Sequence, residues 1–190
     1  LADATDLTVK SEGGAIDIHS IMSVADKDTD VILNADRTAG DVTGETVTVG
    51  AVGSGNEIAA LTITGPDGIT LTGNITLSNK AGSDLDINGA VTIDGDVTID
   101  TDNASADRDG STVHQDGDIN FSSTINAAAS GTNNLTIKAG DTAAGTPTLT
   151  LSGAIGGTTA LDALSINAGT STMAFSVPQI GDGTNAGAGT

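Results

Sequence analysis

The feature that most constrains this chain is a short apolar–polar–apolar triplet, usually centred on Thr, that recurs along its length. Val47-Thr48-Val49, Leu61-Thr62-Ile63, Ile69-Thr70-Leu71, Val91-Thr92-Ile93, Val97-Thr98-Ile99 and Leu135-Thr136-Ile137 are clear examples. Ile75-Thr76-Leu77, Leu85-Asp86-Ile87, Ile119-Asn120-Phe121, Leu149-Thr150-Leu151 and Leu164-Ser165-Ile166 continue the series. Alternation with period two sends successive side chains to opposite faces, so each triplet predicts a short strand with one buried face. Gly, Asn and Asp fill the gaps, and these residues turn chains by tolerating positive φ or by bonding to their own backbone.

The triplets also repeat at an interval. Ile69–Ser78 (ITLTGNITLS), Val91–Asp100 (VTIDGDVTID) and Val113–Ser122 (VHQDGDINFS) align without gaps, 22 residues apart each time, and Val47 and Leu135 fall on the same grid. A second repeat is longer. Gly50–Thr64 aligns with Gly153–Asn167 at an offset of 103 residues, with six of fifteen positions identical. Strand-rich periods of this size mean a solenoid or a propeller before any ordinary domain. The aromatic signature of a propeller blade is missing, whereas 22 residues suit one coil of a parallel β-helix, three short strands joined by turns. The expected fold is therefore all-β, a right-handed parallel β-helix of ~22-residue coils. Coils stacked ~4.8 Å apart would make about eight or nine levels and a rod roughly 40 Å long. The rival is an array of hairpins or a sandwich, in which Asp94-Gly95 would fold Val91–Ile99 back on itself.

Composition fits a narrow interior. The chain has two Phe, Phe121 and Phe175, and no Trp, Tyr or Cys. Branched aliphatic residues would stack on copies of themselves, with the two rings filling wider places or capping an end. Residues 1–45 keep strands at Leu7–Val9, Ile16–Ile18 and Val31–Leu33 but are less regular, 46–180 carry the clear repeats, and 181–190 read as a connection to a further repeat. The three prolines are scattered, so residues 1–190 form one continuous region, expected to be a segment of a longer array. No signal peptide is recognisable in it.

Charge excludes several functions. The chain has 25 acidic residues against 6 basic, a formal net charge of −19. Binding to a phosphate backbone needs a Lys/Arg stripe, and stacking on bases needs aromatic rings, so nucleic acid is not an expected partner. No apolar run reaches the ~20 residues of a membrane helix, so no membrane insertion by this segment is expected.

Residues Leu151–Ala168 (LSGAIGGTTALDALSINA), with a Gly-Gly turn and a Leu-x-x-Leu-x-Ile strand, resemble repeats of very large bacterial surface proteins, the filamentous-haemagglutinin-like and autotransporter-like adhesins. The resemblance extends in style over residues ~46–180, at the level of composition and repeat. It implies secretion to the bacterial cell surface or extracellular matrix, a β-helical fold, and a role as stalk or fibre. No catalytic or ligand residue is carried over by it.

Candidate chemistry is confined to acids. Asp94, Asp96, Asp100 and Asp102 form a candidate Ca²⁺ site, since hard oxygen ligands at alternate positions suit that ion. The EF-hand Gly and Glu are missing, and so is the Gly-Gly-x-Gly-x-Asp repeat, so the competing reading is solvated turn aspartates. The loops 26–30 and 100–112 interrupt the coil pattern, and Asp26, Asp28, Asp30, Asp107 and Asp109 are the candidate contacts to a glycan or a host protein. An enzyme acting on polysaccharide would need carboxylates at set separations and rings or cations to hold the sugar, which this chain lacks. His19 and His114 stand alone. Threonines at 48, 70 and 92, and at 76 and 98, would stack as outer ladders, a flat face of the kind that can bind ice or a simple use of β-propensity. Sequons occur at Asn74, Asn103, Asn120 and Asn134. The expected function is a non-enzymatic structural stalk or fibre that requires no cofactor and has copies of itself or adjacent repeats as partners. The alternative is an adhesin module whose loops bind a glycan or the host-cell surface.

Overall fold

The computed structural model describes residues 6–23, 29–36, 43–78, 82–101, 117–139, 147–167, 174–177 and 179–181. They contain strands and turns and no helix. In chain order the strands are β1 (Leu7–Lys10), β2 (Ile16–Ile21), β3 (Val31–Asn34), β4 (Thr46–Val52), β5 (Leu61–Thr64), β6 (Gly68–Leu71), β7 (Ile75–Thr76) and β8 (Leu85–Asn88). They continue as β9 (Val91–Ile93), β10 (Val97–Asp100), β11 (Ile119–Phe121), β12 (Ile125–Ala127), β13 (Asn134–Lys138), β14 (Thr148–Leu151), β15 (Ala163–Asn167) and β16 (Ala174–Ser176).

These strands make two sheets. The first has seven strands in the order β1-β3-β5-β8-β11-β14-β16. The second has nine and consists of two rows joined through the long β4, β12-β9-β6-β4 on one side and β7-β10-β13-β15 on the other, with β2 also paired to β4. Thr46–Val49 of β4 pair with β6, while Val52 pairs with Ile75 of β7. From β5 to β13 the chain visits the first sheet, then one row of the second, then the other, and returns. Every strand pair among the described residues is parallel. The hairpin alternative therefore fails where it was best supported. β9 pairs with β6 and β12, β10 pairs with β7 and β13, and Asp94-Gly95 links two rows instead of folding one strand onto the next.

Alternation decides the packing. Leu61 and Ile63 point inward and stack on Leu85 and Ile87, which stack on Ile119 and Phe121, while Thr62, Asp86 and Asn120 sit half-buried outside. In the second sheet Val47, Ile69 and Val91 stack in the same way, as do Val97 and Leu135. Inward residues of both sheets belong to a single apolar cluster. Each fully buried aliphatic side chain contributes roughly 1.5–3 kcal/mol, enough to order short strands that would not pair alone.

The register corrects the uniform 22-residue coil. That step holds from Val47 to Ile69 and from Ile69 to Val91. Beyond it, Val91 pairs with Ile125, not with Val113, and Leu135 pairs with Val97 of the other row. Ile119–Phe121, matched in sequence to Val97–Ile99, instead pair with Leu85–Ile87 in the first sheet. Thr76 opposes Asp100, so it forms no ladder with Thr98. Among the described residues the first sheet has seven strands, spanning roughly 30 Å at ~4.8 Å per strand.

The longer repeat is displaced too. Gly53 and Gly156, equivalent in the alignment, both adopt positive φ, at 71° and 67°. Yet Leu61–Ile63 lie in the first sheet and their counterparts Leu164–Ile166 in the second. The two copies share a turn and a strand pattern but occupy different sheets.

Candidate functional site

The described aspartates serve mainly as acceptors for neighbouring strands. Backbone N–H groups at strand starts and turns need partners, and Asp or Asn side chains of earlier strands or of the residue just before them supply several of these. Asp84 Oδ1 accepts from Asp118 N at 2.9 Å, and Asp118 Oδ1 accepts from Thr148 N at 2.7 Å. Asn74 Oδ1 accepts from Thr98 N at 2.8 Å, and Asn126 Oδ1 from Thr158 N at 2.9 Å and Thr159 N at 3.2 Å. On the outer face, Asn120 Nδ2 donates to Asp86 Oδ1 at 3.3 Å.

Against that background the candidate Ca²⁺ ligands separate. Asp96 Oδ1 accepts from both the backbone N and the Nδ2 of Asn134, at 3.1 and 2.9 Å. Asp100 forms an ion pair with Lys138 at 3.4 Å, a surface contact worth about 0–1 kcal/mol. Asp94 is exposed, and its backbone N donates to Leu71 O at 2.9 Å. Asp102 lies outside the described residues, as do Asp26, Asp28, Asp107 and Asp109 of the candidate loops. Asp30 is described: it is exposed, and its backbone N donates to Asp6 Oδ1 at 3.3 Å. Among the described residues no three His, Cys, Asp or Glu side chains are grouped to hold a metal ion.

The other candidates also resolve. Thr48, Thr70 and Thr92 stack in register, bounded by Asp17 on β2 and Asn126 on β12. Three sequon asparagines, Asn74, Asn120 and Asn134, already use their amides in the bonds above. His19 is exposed, and His114 lies outside the described residues. Asp96, Thr98, Asn134, Thr136, Ala163 and Ser165 line an open groove of about 360 Å³ across β10, β13 and β15.

No protein-family model, no curated protein and no solved structure matches this chain. No helix among the described residues is long and apolar enough to cross a membrane.

Two acids escaped the sequence analysis. Of the three glutamates in the chain, Glu45 and Glu57 are buried. The signal for Glu45 was present, since it shares the period-two parity of Val47 and Val49 and so belongs with the inward set.

The inter-strand role of the aspartates has a measurable consequence. Asp118→Ala removes the acceptor of Thr148 N, and its expected cost is about 0.5–1.5 kcal/mol. Asp162→Ala, an exposed site, stays within about 0.5 kcal/mol of the parent. Urea denaturation of the two variants checks the difference, and equal losses would contradict the role.

Proposed function

We propose that this chain is a right-handed parallel β-helix and acts as a non-enzymatic structural stalk or fibre segment of a secreted bacterial surface or matrix protein. The observation that carries the reading is the combination of exclusively parallel pairing among the described residues with a chain that alternates between two sheets around one apolar cluster. Parallel crossovers are right-handed in nearly all proteins, which supports the hand. The mechanism is mechanical. Strands inside the stack pair on both sides, and only the two ends offer open edges to adjacent repeats or to another copy. The acidic surface keeps rods apart until salt or divalent cations screen it. The reading requires no cofactor.

Electron microscopy and fibre diffraction of the native material test this. The expected result is a filament with a ~4.8 Å axial repeat, while discrete globules without that repeat overturn it.

A second reading, an adhesin module, is favoured by one topological fact. Strands β3 and β11 run parallel in the first sheet, with only β5 and β8 between them. Loops 26–30 and 100–112 precede these two strands in the chain, and most of their residues lie outside the described ones. A glycan array with loop-deleted protein separates the readings: binding lost with the loops supports an adhesin, and unchanged or absent binding supports the stalk.

A further inference from the structure

Glu45 is 6% exposed, and its Oε1 has no hydrogen-bond partner within the protein. A carboxylate oxygen removed from water and left without a partner is costly, so such groups are retained with a compensating charge or proton. The neighbour of Glu45 is a second acid. The register that sets Thr46 opposite Gly68 brings Glu45 opposite Asp67. One backbone bond joins them, Asp67 N donating to Glu45 O at 3.3 Å, and the carboxylate of the exposed Asp67 accepts at Oδ2 from Glu45 N and Gly44 N at 3.1 and 2.6 Å. Like charges opposed across a strand pair repel, and a cation between them removes both penalties at once.

We propose that Glu45 and Asp67 together bind one Ca²⁺ ion, with water completing its coordination. The ligand atoms are carboxylate oxygens, which suit a hard cation and offer nothing to a soft one. Ca²⁺ tolerates irregular oxygen sets, whereas Mg²⁺ demands a near-octahedral one and dehydrates reluctantly. Two protein carboxylates place the affinity in the weak range, about 10⁻⁴–10⁻³ M.

The test is thermal denaturation of the full chain with Ca²⁺ or Mg²⁺, in about 0.15 M salt to screen the exposed acids. Ca²⁺ is expected to raise Tm with its half-effect in that concentration range, and Mg²⁺ to give a smaller shift. Glu45→Gln and Asp67→Asn should each abolish the Ca²⁺-dependent shift. Without Ca²⁺, Glu45→Gln should melt no lower than the parent, which shows that the fold survives the change. A Glu45→Gln variant that keeps the full Ca²⁺ response overturns the proposal, because the ions then sit on other acids. A parent with no Ca²⁺ shift also overturns it.

Discussion

Phe121→Ala lowers the unfolding free energy by about 3–5 kcal/mol. Phe121 is fully buried and heads the fully enclosed side chains in size. Its strand neighbours in register are Ile87 and Leu151, both fully or almost fully buried. These neighbours belong to strands pinned by their own ladders, so they cannot close over the missing ring, and the cavity persists. Phe121→Leu keeps most of the volume and costs less than about 1.5 kcal/mol. Urea denaturation of both variants measures the contrast. A loss below about 1 kcal/mol for the alanine variant would mean that the core collapses around the site.

Gly53→Ala is the second large effect, with an expected cost of about 2–5 kcal/mol. Gly53 has φ of 71°, and a Cβ built there would lie 1.9 Å from Thr76 O. Its N donates to Ile21 O at 2.8 Å, so the turn is held from one side and crowded from the other. The left-handed backbone costs roughly 1–2 kcal/mol for a residue with a side chain, and the forced shift against a neighbouring strand adds about 1–3 kcal/mol. Gly131→Ala isolates the first contribution, since φ is 67° there and a Cβ meets nothing within 4 Å. Only the smaller loss is expected at Gly131. Equal losses at the two positions would show that backbone conformation alone governs these turns.

The strands were legible because alternation is a local signal. Leu61-Thr62-Ile63, Leu85-Asp86-Ile87 and Val91-Thr92-Ile93 each form a strand with the two apolar residues inside. Their assignment to rows was less legible. An aliphatic triplet packs equally well wherever the interior is uniformly apolar, so Ile119-Asn120-Phe121 carries no mark that selects β8 over β10 as its neighbour. That choice depends on the length of the connection before it, which spans residues 101–118. The same ambiguity lets Leu61–Ile63 and Leu164–Ile166 share a sequence pattern and occupy different sheets.

The candidate site was less legible still. The run of Asp residues near 94–102 was visible as charge. The geometry gives Asp96 to Asn134 and Asp100 to an ion pair with Lys138, and leaves Asp94 exposed. Turn propensity and metal ligation both call for Asp, so composition alone does not separate them. Glu45 shows the opposite case, a buried acid whose parity marked it as inward.

The bonds between strands also carry a direction. Asp6, Asn74, Asp84, Asp96, Asp118 and Asn126 each accept a hydrogen bond from backbone that comes later in the chain, with Asp67 as the exception. The earlier layer therefore holds its acceptors ready before the later one arrives. A chain that emerges amino terminus first would build on a prepared template, each layer seating the next. Growth from the opposite end would present backbone donors first and bring the side-chain acceptors with each incoming layer. The side-chain bonds thus give the described strands a polarity, with acceptors on the earlier strand and donors on the later one.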